Sequence, residues 1–142
     1  MNKKQFLGIS FIVMFNVVQV ANVCFAEKEH PIDKFQEECT NRDSTTLGMA
    51  ECLVEATKKW DAEMNKYYNL LMGLLKEDEK KRLKESQRAW IKFRDAEGEV
   101  IKHLYPYTGT KYMLDRASDN QDITKERALK LKEYYEVVKW EY

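Results

Sequence analysis

The chain has 142 residues, of which 24 are basic and 24 acidic, so its formal net charge is zero. This length favours a single domain. A balanced charge argues against a nucleic-acid-binding protein, which would carry a basic excess or a clustered basic patch. Hydrophobic residues make up 44% of the chain, which is enough to build a core.

The first 26 residues have the pattern of a secretory signal peptide. Two lysines precede an apolar run over residues 6–20, and Cys24 and Ala26 occupy the −3 and −1 positions of a cleavage site. Cleavage after Ala26 would leave residues 27–142 as the exported domain. Two alternatives stay open: a retained membrane anchor, although the run is shorter than the roughly 20 residues that a span needs, and a lipoprotein carrying its lipid on Cys24.

Two cysteines remain in the exported domain, Cys39 and Cys52. In an oxidising compartment, two cysteines most simply form one disulfide bond. The bridge would close a loop of roughly 14 residues, which contributes about 3 kcal/mol in the chain-entropy description.

The exported domain is predicted to be all-α. Apolar residues recur at helical spacing, and strand-like alternation is absent from the sequence. We predict a short helix over residues 32–39, a long helix over 46–76, a third over 78–103 and a last helix that begins at Thr124 after a loop. Short turns and matched apolar faces indicate an antiparallel bundle of three long helices plus the short one.

The stretch SQRAWIKFRD, residues 86–95, belongs to the third helix. The predicted apolar face of this helix comprises Leu83, Ala89, Trp90, Phe93, Val100, Ile101 and Leu104. On a helical projection, Trp90 and Phe93 point to the core and Asp95 points to solvent. The sequence therefore predicts that this stretch packs the third helix into the bundle.

A polar cluster is predicted at the margin of the same core. Its members are Asp61, Glu63, Gln87, Arg94 and Arg127. Because an unpaired charge at such a place costs several kcal/mol, Arg94 is expected to pair with Asp61 or Glu63 and to fix the register of the long helices. A small anionic site or a catalytic centre is the open alternative.

The chain resembles the DUF1311 family, also called the LprI-like lysozyme-inhibitor N-terminal family. The resemblance is carried by CTNRDSTTLGMAECLVEATKKWDAEMNKYYNLL, LKESQRAWIKFRDAE and TKERALKL, and it covers nearly all of the exported domain. The matching positions are Cys39, Thr45, Met49, Cys52, Trp60, Asp61, Asn65, Tyr68, Gln87, Trp90, Arg94, Asp95, Thr124, Arg127 and Leu131.

The resemblance implies a small exported helical bundle of the bacterial envelope, periplasmic or secreted. The family name comes from a member that inhibits lysozyme, so a lysozyme is the protein partner that the resemblance implies. Many members carry a second cysteine pair. This chain has Gly98 and polar residues around Asp119 instead, which predicts a looser loop before the last helix.

The predicted partner-binding segment is the loop YPYTGTKYM. Its candidate contact residues are Tyr105, Tyr107, Thr110, Lys111 and Tyr112. Lysozyme works with two carboxylates in an open cleft, and this loop offers aromatic surface and hydrogen-bond donors that could fill such a cleft. His30 is a second candidate donor. The alternative is that the tyrosines only cap the end of the bundle.

Other classes of function are less well supported by the sequence. Exposed aromatic residues near the C-terminus, in EYYEVVKWEY, favour a structural or adaptor protein of the envelope as the alternative. Catalytic, metal-binding and cofactor motifs are absent from the sequence, so we expect no enzyme, no metal and no cofactor. We also expect no nucleic-acid partner and no membrane insertion after signal cleavage. The oligomeric state is left open.

Overall fold

The structure is a computed structural model that describes residues 29–105 and 109–141. The predicted signal peptide, residues 1–26, and Tyr107 lie outside the described residues. The described part forms four helices and no strand, which confirms the predicted all-α fold. The helices are α1 (Pro31–Arg42), α2 (Thr46–Leu74), α3 (Glu77–Leu104) and α4 (Thr110–Val138).

Consecutive long helices run antiparallel, as predicted. Because α3 runs against both of its neighbours, α2 and α4 run parallel to each other: Lys125 of α4 lies over the ring of Trp60 at 5.3 Å, and further along Tyr135 meets Tyr67 at 5.7 Å. The short α1 runs antiparallel to α2. Among the described helices, the contact between α2 and α4 is the most extensive and that between α2 and α3 the least.

The core lies between α2 and α4, with α1 closing one side. Trp60, Leu71 and Leu131 are its largest fully buried side chains. Ala56 and Ala128 are also buried in this cluster. Alanines at these two positions keep the helix surfaces small, which lets α2 and α4 approach closely around the Trp60 ring.

The turn between α1 and α2 is held by caps and by the predicted disulfide. Thr45 is the N-cap of α2, and its hydroxyl accepts a hydrogen bond from the Gly48 N–H at 3.0 Å. A Cβ on Gly48 would lie 2.2 Å from the carboxyl carbon of Asp43, so a larger residue would displace this carboxylate from its hydrogen bonds with Thr45. The bond between Cys39 and Cys52 ties α1 to the first turns of α2, which confirms the predicted pairing.

The start of α4 differs from the prediction. The loop expected before Thr124 is helical from Thr110 onward, so the prediction of a looser connection is wrong. Polar side chains in this segment donate back to the carbonyl one turn earlier, as Arg116, Asn120 and Thr124 all do. The amide of Gln121 also donates to Gln36 of α1. Tertiary contacts and local hydrogen bonds therefore stabilise a helix that lacks a regular apolar pattern.

The apolar face predicted for α3 is also only partly buried. Leu83 and Ile101 are buried and Trp90 packs against the core. Phe93, however, is 53% exposed, and Val100 and Leu104 are exposed as well. The prediction that Phe93 points to the core is wrong because α3 contacts α2 and α4 only through the side that carries Leu83, Trp90 and Ile101. A broad apolar arc on this helix therefore splits into a buried row and an exposed row.

None of the helices in the described residues has both the length and the apolar character that a membrane crossing requires.

Candidate functional site

A groove of about 480 Å³ separates α2 from α3, and we call it the α2–α3 groove. Its lining residues are Asp61, Met64, Asn65, Tyr68, Lys84, Gln87, Arg88, Trp90, Ile91 and Arg94. The α2 members follow one another at helical spacing, so they share one face of that helix. The same holds for most of the α3 members. Six of the lining residues are positions that carry the family resemblance, and they come together in this one groove.

Gln87 connects three helices at the floor of the groove. Its side-chain N–H donates to the sulfur of Met64 at 3.5 Å. Its carbonyl oxygen accepts from the Arg127 guanidinium of α4 at 3.0 Å, and a second nitrogen of Arg127 donates to the hydroxyl of Ser86 at 3.1 Å. Burial lowers the pKa of the Arg127 guanidinium. The structure therefore places Gln87 and Arg127 of the predicted polar cluster in direct contact.

Arg94 does not make the interhelical ion pair that the sequence predicts. Its guanidinium binds the carboxylate of Asp95, the next residue in the chain, at 2.8 Å, and it lies 5.2 Å from the ring centre of Trp90. The carboxylate of Asp61 instead accepts from the side-chain amide of Asn65 at 3.0 Å. Arg94 and Asp61 both line the groove. They stay unpaired with each other because each has a partner on its own helix.

Glu63, the other predicted partner of Arg94, lies on a different side of α2. Its carboxylate is 3.2 Å from the Lys66 ammonium and 3.9 Å from Nε2 of His30. The His30 ring stacks on Trp60 with ring centres 4.4 Å apart. The structure therefore separates Glu63 from the groove and brings it to the N-terminus of α1.

His30 acts as the N-cap of α1 rather than as an exposed donor. Its Nδ1 accepts a hydrogen bond from the Ile32 N–H at 3.2 Å. Burial lowers the pKa of His30, and the nearby Lys132 lowers it further, while Glu63 and Asp33 oppose the shift. A neutral ring suits this position, because only an unprotonated Nδ1 can accept the hydrogen bond.

The predicted partner-binding loop is largely helical where the structure describes it. Thr110, Lys111 and Tyr112 form the first turn of α4, and Tyr105 caps the C-terminus of α3. The negative charge of the nearby Asp119 raises the pKa of the Tyr105 phenol. The Lys111 ammonium lies 3.3 Å from Asp115. The prediction of a loop over residues 110–112 is therefore wrong, while these residues do lie together at one end of the bundle.

We call this region the α3–α4 end and define it as Leu104, Tyr105, Gly109, Thr110 and Lys111. Leu104 is 66% exposed, and Gly109, Thr110 and Lys111 are exposed as well. Lys102 and His103 are exposed on the last turn of α3 beside it. The end therefore combines an exposed apolar side chain with several exposed hydrogen-bond donors.

The α2–α3 groove itself was missed at the sequence level. A signal was present, because Asp61, Asn65 and Tyr68 are spaced to share one face of α2 and Gln87 and Arg94 share one face of α3. The projection placed Gln87 and Arg94 inside the apolar arc of α3 and Asp61 at the edge of the α2 face, and these residues were interpreted as an ion-pair cluster rather than as a groove. Within the described residues, no group of histidine, cysteine or carboxylate side chains is arranged to hold a metal ion.

The chain is similar to a known protein family and to a solved protein structure. A family model described as "Lysozyme inhibitor LprI" matches residues 38–131. An uncharacterized protein from Burkholderia thailandensis, solved by crystallography, is similar with a TM-score of 0.75 and 28% sequence identity. The similarity covers 80% of this chain but only 58% of that one, so this chain spans little more than half of its length. No curated protein matches the chain.

Proposed function

Because the chain belongs to the lysozyme inhibitor LprI family, we propose that it is an exported helical inhibitor of lysozyme that occludes the enzyme's cleft. The observation that carries this proposal is the family match over residues 38–131, which spans the disulfide, the α2–α3 groove and the α3–α4 end. The active form would be residues 27–142, released after signal cleavage into the periplasm or the medium.

The surface that fits a cleft best is the α3–α4 end. Lysozyme hydrolyses glycans with two carboxyl groups that flank the bound sugar chain. An exposed surface that carries an ammonium group and hydroxyl groups could bind these carboxylates at the mouth of the cleft. Lys111 suits that role, because its side chain is 79% exposed and its contacts in the monomer, with Asp115 and the Tyr112 ring, lie within the first turns of α4. Leu104 and Tyr105 would supply the apolar contact.

The test is a titration of lysozyme activity on cell-wall substrate with the oxidised chain of residues 27–142. Chicken-type and goose-type enzymes are both needed, since the sequence does not select between them. We expect stoichiometric inhibition of at least one type. Lys111→Glu should weaken it on the order of tenfold or more, because a new carboxylate would face the carboxylates of the enzyme.

Lys58→Glu is the matched control for this experiment. Lys58 is also an exposed helical lysine with one carboxylate partner, but it lies in the middle of α2. Equal loss of inhibition in both variants would point to a general charge effect and against the α3–α4 end. Absence of both inhibition and calorimetric binding for the unmodified chain would reject the proposed function.

One observation favours the alternative of an envelope adaptor with another protein partner. The opposite end of the bundle exposes Tyr134, Val137 and Trp140, and Trp140 is 83% exposed. Beside them lies a groove of about 370 Å³ whose lining includes Leu71, Leu75 and Leu83. If lysozyme does not bind, capture of an envelope protein that is lost in Trp140→Ala and kept in Lys111→Glu would support this alternative.

A further inference from the structure

A row of exposed apolar residues runs along α3, on a side that faces neither α2 nor α4. The row consists of Ala89, Phe93, Ala96 and Val100, and we call it the α3 apolar row. All four side chains are exposed. Their spacing alternates between four and three residues, which is the spacing of a coiled-coil seam. Single exposed apolar residues are ordinary on protein surfaces, but a regular row is a mark of an interaction surface.

The row lies roughly 100° around the helix from the buried Leu83 and Ile101, given 3.6 residues per turn. Packing of the monomer therefore leaves it uncovered. Phe93 is the largest member and is 53% exposed. A helix that carries two apolar faces, of which only one is buried, has room for a second helical partner.

Within α3 a mainly basic stretch is followed by a short acidic one. Residues 80–94 contain seven basic side chains and one acidic one, whereas residues 95–99 contain three acidic side chains and no basic one. The division falls within the apolar row, close to Ala96. Lys92 and Glu99 flank the row on one edge, so a matching partner helix must be acidic beside Lys92 and basic beside Glu99.

The α3 helix of a second copy meets this requirement when it runs antiparallel. Pairing centred near Asp95 places Phe93 beside Ala96 of the second copy, and Val100 beside Ala89 of the second copy. It also places Lys92 beside Glu99 of the second copy, twice by symmetry. Lys92 and Glu99 are both exposed, and in the monomer Glu99 is paired with Lys102 of its own chain.

We propose that the protein self-associates through the α3 apolar row as an antiparallel two-fold dimer. Such an interface is isologous, so the same surface serves both copies and no further partner is needed. The seam spans about three turns of helix, which is short for a permanent dimer. The association is therefore a reversible equilibrium that depends on concentration. The inference does not rest on lysozyme binding.

Analytical ultracentrifugation of the oxidised chain of residues 27–142 is the first test. A concentration series from micromolar to near-millimolar should show a monomer–dimer equilibrium. Phe93→Asp should abolish the dimer, whereas Val137→Asp should leave it unchanged. Val137 is a matched control, because it is an apolar residue on α4 with a similar exposure of 59%. A chain that stays monomeric throughout the series would overturn the proposal, and co-sedimentation of that monomer with anionic vesicles would assign the row to a membrane surface instead.

A charge exchange tests the antiparallel geometry. Lys92→Glu and Glu99→Lys should each weaken the dimer on the order of tenfold, because each variant alone faces two like-charge contacts. An equimolar mixture of the two variants should recover dimerisation, since every contact in the mixed dimer is then between opposite charges. A dimer that survives both single changes, or a mixture that does not recover, would overturn this geometry. Circular dichroism checks that each variant keeps its helices.

Discussion

The three long helices have nearly equal lengths, but α2 and α4 bury far more of their side chains than α3 does. Nearly all of the largest buried side chains belong to α2 and α4, with the fully buried Trp60 and Leu131 at the centre. On α3 the buried residues are Leu83 and Ile101, and most other side chains are in contact with solvent. Stability therefore depends chiefly on the α2–α4 pair, while most of the α3 surface faces solvent.

This difference follows from the side chains that each helix presents. Between α2 and α4, Ala56 and Ala128 allow close approach around one large ring. Between α2 and α3, the arginine and lysine side chains of α3 stand at the contact, and the helices leave the α2–α3 groove open. Because few α3 side chains are buried, substitutions at its exposed positions should leave the fold unchanged.

Among the variants that test this difference between the helices, Trp60→Ala should cause the largest loss of unfolding free energy. Trp60 is fully buried, and removing such a side chain costs about 3–5 kcal/mol of the free energy of unfolding because a cavity remains. Urea denaturation followed by circular dichroism measures the loss. Trp140→Ala is the matched control, since Trp140 is almost fully exposed and its loss should fall within about 0.5 kcal/mol of zero. Similar losses for the two would show that the core does not lie where the structure puts it.

A second large effect is expected from the double change Cys39→Ala and Cys52→Ala. The disulfide closes a short loop, with a sequence separation of 13 residues, so its removal should cost about 3 kcal/mol. The cost should fall on α1, because the bond joins α1 to α2. Hydrogen exchange would show this as faster exchange in residues 31–42 than in α2 or α4. Uniform acceleration in all helices would mean that α1 is needed to hold the whole bundle.

The elements that could be predicted from the sequence are those with strong local signals. The start of α2 follows from the N-cap Thr45, and its core face follows from apolar spacing around Trp60. The first half of α4 could not be predicted in this way. Its residues include Asp119 and Asn120, which are common in loops, and their helical state depends on hydrogen bonds such as that of Gln121 to Gln36, 85 residues away in the chain.

A smaller effect is expected when His30 titrates. Its pKa in the folded state lies below the ordinary value of 6.5 because of burial, so the unfolded chain binds more protons near and below that pH. The contribution of neutral His30 to the free energy of unfolding is therefore fully present above pH 6.5. It is lost as the pH falls through the pKa that His30 has in the folded state. Unfolding free energies between pH 7.5 and pH 5.5 should decrease with falling pH, and more steeply than in His30→Asn.

Asparagine is the control at position 30 because its side chain also accepts a hydrogen bond at an N-cap but does not titrate in this range. Equal slopes for the two proteins would show that His30 is as free to bind a proton in the folded state as in the unfolded chain.

The candidate site was harder to predict than the fold, and Arg94 shows why. A helical projection correctly places Arg94 at the margin of the core. It does not show how far α3 stands from α2, and this distance decides whether Arg94 reaches Asp61 across the α2–α3 groove or Asp95 beside it. Which partner a long side chain takes therefore depends on helix separation, and no residue pattern in a single sequence encodes that quantity directly.

The smallest effect is expected from Arg94→Ala, compared with Arg127→Ala. The ion pair of Arg94 with Asp95 lies within one helix and is partly exposed, so its loss should cost less than about 1 kcal/mol. Arg127 joins α4 to Gln87 and Ser86 of α3, and its loss leaves the buried side of Gln87 without a donor, which should cost about 1–2 kcal/mol. Urea denaturation of both variants decides the order. If Arg94→Ala lost more unfolding free energy than Arg127→Ala, Arg94 would be the residue that holds α3 to the bundle, as the sequence predicted. The expected order would mean that Arg94 contributes little to stability and remains a surface residue of the α2–α3 groove.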